Sequence, residues 1–85
     1  MKKVENLFRG LSMENIEGYN VLTDKQKELF DQTYKAHVFM MDPEMRKQHT
    51  EEHIKEIRWN ENEQCLRVYF DNGEWYHYSL AGEWY

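Results

Sequence analysis

The chain has 85 residues, of which 40% are hydrophobic, 32% charged and 15% aromatic, and its net charge is −5. A single domain of this size buries a marginal core, which keeps self-association open. Residues 1–42 hold six basic and seven acidic side chains and residues 43–85 hold five and nine, which argues against a uniformly basic nucleic-acid footprint.

Val4, Leu7, Phe8 and Leu11 fall at i, i+3, i+4 and i+7, which predicts a short helix over residues 2–11 with Gly10 near its end. The pattern breaks from Ser12 to Asn20, where Gly18 and Asn20 read as turn residues. A second helix opens at Thr23. Gln26 stands three positions on, at capping-box spacing, and Asp24 suits the positive end of the helix dipole. Phe30, Tyr34, Val38 and Met41 then recur every three or four residues, with Leu29 and His37 beside them, and give one apolar face. Asp42-Pro43 ends that helix and caps a third, because proline disfavours helical geometry before it and suits the first helical position. The third helix is expected to reach about His49 or Glu52, with Met40, Met41 and Met45 filling the core at the junction.

From Ile57 and Trp59 the period changes to two, and a β-meander follows. No internal repeat, low-complexity tract or linker is evident. The expected fold is α+β, with two or three N-terminal helices packed on one face of a C-terminal three-stranded antiparallel β-meander. It is read as a single domain over 1–85, helical over about 1–52, with the meander over about 54–79 and an aromatic tail over 80–85. That tail, with Trp84 and Tyr85, would expose apolar surface unless it folds back on the sheet or enters a neighbouring subunit.

In CLRVYF-DNG-EWYHYS, Asn72-Gly73 is a strong hairpin signal, since a type I′ turn needs two residues that tolerate positive φ. A two-residue turn there sets Phe70 against Trp75, Tyr69 against Tyr76, Val68 against His77 and Arg67 against Tyr78. The core face then carries Leu66, Val68, Phe70, Trp75 and His77. The Asp71–Glu74 opposition of like charges weakens this register, and the competitor is a three-residue loop with Gly73 as a bulge. For the first strand, a four-residue loop from Glu61 to Gln64 sets Ile57 against Val68 and Trp59 against Leu66. A shorter loop would place Arg58 in the core at a cost of several kcal/mol.

The outer face so defined carries Arg58, Arg67, Tyr69, Tyr76 and Tyr78, flanked by Glu56 and Glu74. Cross-strand tyrosine pairs stabilise a sheet by roughly 0.2–1 kcal/mol each, and the same tyrosine–arginine chemistry makes binding hot spots. These five residues and Trp84 are the candidate binding residues.

Catalytic readings are weaker. His49-Thr50-Glu51-Glu52-His53 matches the H-x-x-E-H spacing of inverted zinc peptidases. A catalytic zinc, however, needs a third protein ligand on a substantial scaffold, and the favoured reading is a solvated helix end. Cys65, the one cysteine, excludes an internal disulfide and is expected to be a packed thiol in a strand. The four glycines are scattered, so no phosphate loop forms. No catalytic residue, cofactor or metal is assigned. No apolar run approaches the ~20 residues of a membrane span, and no signal-peptide apolar region is present, so a cytoplasmic setting is expected.

The run Ile57-x-Trp59-Asn60 … Leu66-x-Val68-x-Phe70-x-x-Gly73-x-x-Tyr76-x-Tyr78 resembles the opening hairpin of the small KTSC domains. The helix that follows in that family, and its namesake tetrapeptide, are missing. The whole chain is also similar to small uncharacterised proteins of Gram-positive bacteria and their phages, which implies no assigned activity. Many small acidic phage proteins bind host machinery. The expectation is therefore a small, non-enzymatic binding protein that acts through protein–protein contact, with a partner or a second copy in a homodimer. The alternative is single-stranded nucleic-acid binding, with tyrosines as stacking platforms and Arg58 and Arg67 on phosphates.

Overall fold

The computed structural model of the chain describes residues 13–85; the helix expected over residues 2–11 lies outside them. The described residues form α1 (Asp24–Phe39), a five-residue α2 (Pro43–Lys47), a 3-10 turn (Glu51–His53) and three strands, β1 (Ile54–Asn60), β2 (Cys65–Phe70) and β3 (Trp75–Ser79). The strands pair antiparallel in the order β1-β2-β3. The fold is α+β, and the helices precede the sheet. Among the described residues α1 is the one long helix, and no helix is long and apolar enough to cross a membrane.

The start of α1 is chemically specified. Thr23 Oγ1 accepts from Gln26 N at 3.1 Å, and Gln26 Oε1 accepts from Thr23 N at 3.0 Å, so two otherwise orphaned donors are satisfied reciprocally. Its far end is closed by a residue from α2. Arg46 donates from Nε to the Val38 carbonyl at 3.0 Å and from Nη2 to those of Met41 and Phe39 at 2.7 and 3.3 Å. A cation there satisfies terminal carbonyls and opposes the negative end of the helix dipole. Asp42 caps α2 by accepting from Met45 N, with Pro43 at the first helical position. That helix stops at Lys47 rather than reaching His49 or Glu52. The methionine expectation fails at Met40 and Met45, which are exposed.

Residues 13–22 hold a core pattern of neither helical nor strand period. Met13, Ile16, Tyr19 and Leu22 are all buried. From Ile16 on, each donates its N–H to the carbonyl of the one before, at 3.1 Å. These successive three-residue turns send every third side chain inward. Glu17 also bridges Glu56 of β1, and its carbonyl accepts from Ile57 N at 2.9 Å, which partly covers the β1 edge.

The β1–β2 register is the one expected. Ile57 faces Val68, Arg58 faces Arg67 and Trp59 faces Leu66, with Glu61 to Gln64 as the loop and a bulge between Ile54 and Glu56. The β2–β3 register is not. Tyr69 faces Trp75, Val68 faces Tyr76, Arg67 faces His77 and Leu66 faces Tyr78. Phe70 N donates to the Glu74 carbonyl and Gly73 N to the Phe70 carbonyl. The loop is thus the three-residue form, Asp71-Asn72-Gly73, with Gly73 at φ 93° as the bulge residue. One added loop residue turns every β3 side chain to the opposite face.

The same device recurs nine residues later. Ser79 N donates to the Glu83 carbonyl, Gly82 N donates to the Ser79 carbonyl, and Gly82 has φ 81°. Residues 83–85 then run back along β3, where His77 and Tyr85 exchange both backbone hydrogen bonds and Trp84 bridges Tyr78. The sequence does contain a repeat: Gly73-Glu74-Trp75-Tyr76 and Gly82-Glu83-Trp84-Tyr85. Each copy closes a hairpin, and the tail folds back on the sheet.

The core lies between α1, the 13–22 segment and one sheet face. Its centre is a stack of rings, with Phe30 5.4 Å from Tyr34 and 5.9 Å from Tyr78, and Tyr19 edge-on to Phe30 at 6.0 Å. Ile57, Leu66, Val68 and Phe70 pack beneath as expected. Trp75 does not, being 46% exposed, and Tyr78 at 0% takes the place assigned to it. Such ring pairs contribute about 0.5–1.5 kcal/mol each beyond their buried area.

Candidate functional site

The outer face of the meander carries Arg58 from β1, Arg67 and Tyr69 from β2, Trp75 and His77 from β3, and Tyr85 from the return segment. The register lines up its rings as a ladder. Tyr69 stacks on Trp75 at 5.7 Å, Trp75 lies against His77 at 4.9 Å, and His77 stacks on Tyr85 at 4.6 Å. The Arg67 guanidinium sits over the Trp75 ring at 5.5 Å, a cation–π contact. Trp75 and Tyr85 leave large apolar areas in solvent, one on each side of His77 in the ladder.

Both arginines of this face already hold carboxylates. Arg58 Nε donates to Glu56 at 2.8 Å, and Arg67 Nη2 donates to Glu63 at 3.1 Å. Those hydrogen bonds hold each guanidinium above its ordinary range, and the Arg67 bond holds the Glu63 carboxyl below its own. The face is therefore aromatic with locally balanced charge.

Of the six candidate binding residues, Arg58, Arg67 and Tyr69 stand on this face. Tyr76, Tyr78 and Trp84 do not, because the extra loop residue reverses β3 and the second hairpin points Trp84 inward. Tyr78 is fully buried, and burial pushes its ionisation far up. Its hydroxyl lies 2.9 Å from His37 Nδ1. Tyr76 is edge-on to His37 at 4.5 Å, and Trp84 stacks on His37 at 4.9 Å. Glu74 also leaves the outer patch. Its carboxylate accepts from the Tyr76 hydroxyl at 3.1 Å and meets His49 Nε2 at 2.8 Å, and the His49 bond holds it below the usual carboxylate range.

The H-x-x-E-H spacing builds no shared metal site. His49 lies beyond the end of α2 and is fully buried, which corrects the expectation of a solvated helix end. Its Nδ1 lies 2.8 Å from the Met45 carbonyl, and the Tyr34 hydroxyl donates to its own carbonyl. His53, in the 3-10 turn, instead meets the Asp71 carboxylate at 3.0 Å. Both ring nitrogens of His49 thus lie within hydrogen-bonding distance of a protein oxygen. Cys65 is a packed thiol as expected, buried in β2, and burial raises its ionisation.

Sequence reasoning missed Trp75, His77 and Tyr85 on the outer face, and His37, His49 and Glu74 beneath the inner one. The repeated Gly-Glu-Trp-Tyr was the available signal, since two copies of one loop chemistry imply one loop geometry. Comparison with protein-family models, with curated proteins and with solved structures finds no match.

Proposed function

We propose that this chain is a small, non-enzymatic, cytoplasmic binding protein that works through protein–protein contact at the outer face of the meander. The observation that carries the reading is the ring ladder Tyr69–Trp75–His77–Tyr85. Rigid aromatic rings with an arginine among them are the composition of interface hot spots. The resemblance to small phage-type proteins is consistent with a contact-based role. A second copy of the chain is the simplest partner for a domain this small.

The second reading is single-stranded nucleic acid, favoured by the ladder and by Arg67 over Trp75. Against it, phosphates would have to displace Glu56 and Glu63 from the two arginines. Sedimentation and partner capture, run beside anisotropy with a labelled single strand at two salt concentrations, separate the two. Protein contact predicts that Trp75→Ala weakens self-association or capture with the fold intact, and that the strand fails to bind near physiological salt. Micromolar strand binding that weakens steeply with salt and is lost in Tyr69→Ala overturns it.

A further inference from the structure

We propose that Glu63, Cys65 and His77 form a binding site for a divalent transition-metal ion of the zinc type, at the β2 entry of the outer face. Among the described residues they are the one group of three metal-capable side chains whose donor atoms all lie within 4.8 Å of one another. Glu63 Oε1 is 3.7 Å from Cys65 Sγ and 3.4 Å from His77 Nε2. Donors bound tetrahedrally at zinc bond lengths sit roughly 3.3–3.6 Å apart. Two of the three edges are thus close to ligand spacing before any ion arrives.

The histidine is oriented for the task. His77 Nδ1 faces the Tyr85 carbonyl at 3.3 Å. A carbonyl only accepts, so with the ion in place the ring donates from Nδ1 to Tyr85, and Nε2, which faces Glu63, is the nitrogen that ligates. A ligand histidine whose other nitrogen donates to a backbone carbonyl is the usual supporting arrangement at zinc. Paired backbone hydrogen bonds with Tyr85 and stacking on its ring hold the imidazole in place. Cys65 and His77 come from adjacent strands, and Glu63 comes from the loop that feeds β2.

Thiolate, imidazole and carboxylate suit a borderline-soft ion. On binding, the Cys65 thiol gives its proton to solvent and its sulfur lone pair to the ion. Thiolate and carboxylate then cancel the two positive charges of the ion. Glu63 Oε1, the oxygen nearest Cys65 and His77, also accepts from Arg67 Nη2 at 3.1 Å, so the ion and Arg67 share that carboxylate. The fourth position stays open to water or a donor from another molecule. The site stands whether or not the ring ladder binds protein.

Cobalt(II) titration of the full 85-residue chain, under a non-chelating reductant, tests this. The expected result is one equivalent of cobalt with a thiolate-to-cobalt charge-transfer band that zinc displaces. Cys65→Ser should lose the band. Glu63→Gln and His77→Gln, checked by circular dichroism to be folded, should each weaken binding at least about tenfold. Zinc should raise the melting temperature of the parent chain but not of Glu63→Gln, whose side chain is exposed enough for the change to be tolerated. No charge-transfer band at millimolar cobalt, or a band of unchanged affinity in both Gln variants, overturns the proposal.

Discussion

The two faces of the meander use similar residues for opposite ends. The inner face sets Tyr76, Tyr78 and Trp84 around His37, with His49 and Glu74 beyond, and nearly every polar atom named there has a partner. The outer face sets Tyr69, Trp75, His77 and Tyr85 in a ladder that ends in solvent. An aromatic residue's face in this chain is decided by the loop that precedes it rather than by its hydropathy. Gly73 and Gly82 close the same loop, yet Trp75 emerges outward and Trp84 inward, because Phe70 points in and Ser79 points out where each loop begins.

The largest expected effect is on the inner face. Tyr78→Ala removes the ring that Phe30 and His37 pack against, and should cost about 3–5 kcal/mol in chemical denaturation, as large-to-small core changes do. So small a domain could unfold outright.

A pH effect of intermediate size should come from the same face. Burial first, and the charge of His49 second, lower His37 from 6.5 to about 4, with Glu74 opposing. The unfolded ring takes its proton near 6.5 and the folded ring only near 4, so acid favours the unfolded chain across that window. Stability is full above about pH 6.5 and declines as pH falls toward 4. Glu74, held low by His49, adds to the loss as acid protonates it in turn. Urea midpoints at pH 7 and pH 5 should differ, and the difference should shrink in His37→Gln.

The smallest effect on stability belongs to the outer face. Trp75→Ala removes exposed stacking contacts and should cost less than about 1 kcal/mol, while it weakens the proposed protein contact. Equal losses at Trp75 and Tyr78 would erase the distinction between the faces.

Much of the helical part was legible in the sequence because its signals are local. Thr23 with Gln26 and Asp42 with Pro43 mark helix starts by chemistry that acts within three residues. Arg46 was not legible, since its carbonyl partners lie five to eight positions back and no sequence pattern names them. Residues 13–22 looked patternless because their buried positions recur every three residues, a period that neither helix nor strand templates seek. In the sheet, burying charged Arg58 is costly, so only one β1–β2 register was admissible. In β3 the alternatives Trp75/His77 and Tyr76/Tyr78 are both aromatic, so alternation gave no preference. The like-charge pair Asp71–Glu74 held the deciding information, because it disfavours the two-residue turn.

The central claim is the β3 register, from which both the buried histidine cluster and the outer ladder follow. Because His77 exchanges its backbone hydrogen bonds with Tyr85, its pairing with Arg67 on the other side is of the non-hydrogen-bonded kind, which brings the two Cα atoms to about 4.5 Å. A nuclear Overhauser spectrum should therefore show strong Hα–Hα contacts between Arg67 and His77 and between Tyr69 and Trp75. Strong Hα–Hα contacts of Phe70 with Trp75 and of Val68 with His77 in their place, the close pairs of a two-residue turn, would contradict the account and return Tyr76 and Tyr78 to the outer face.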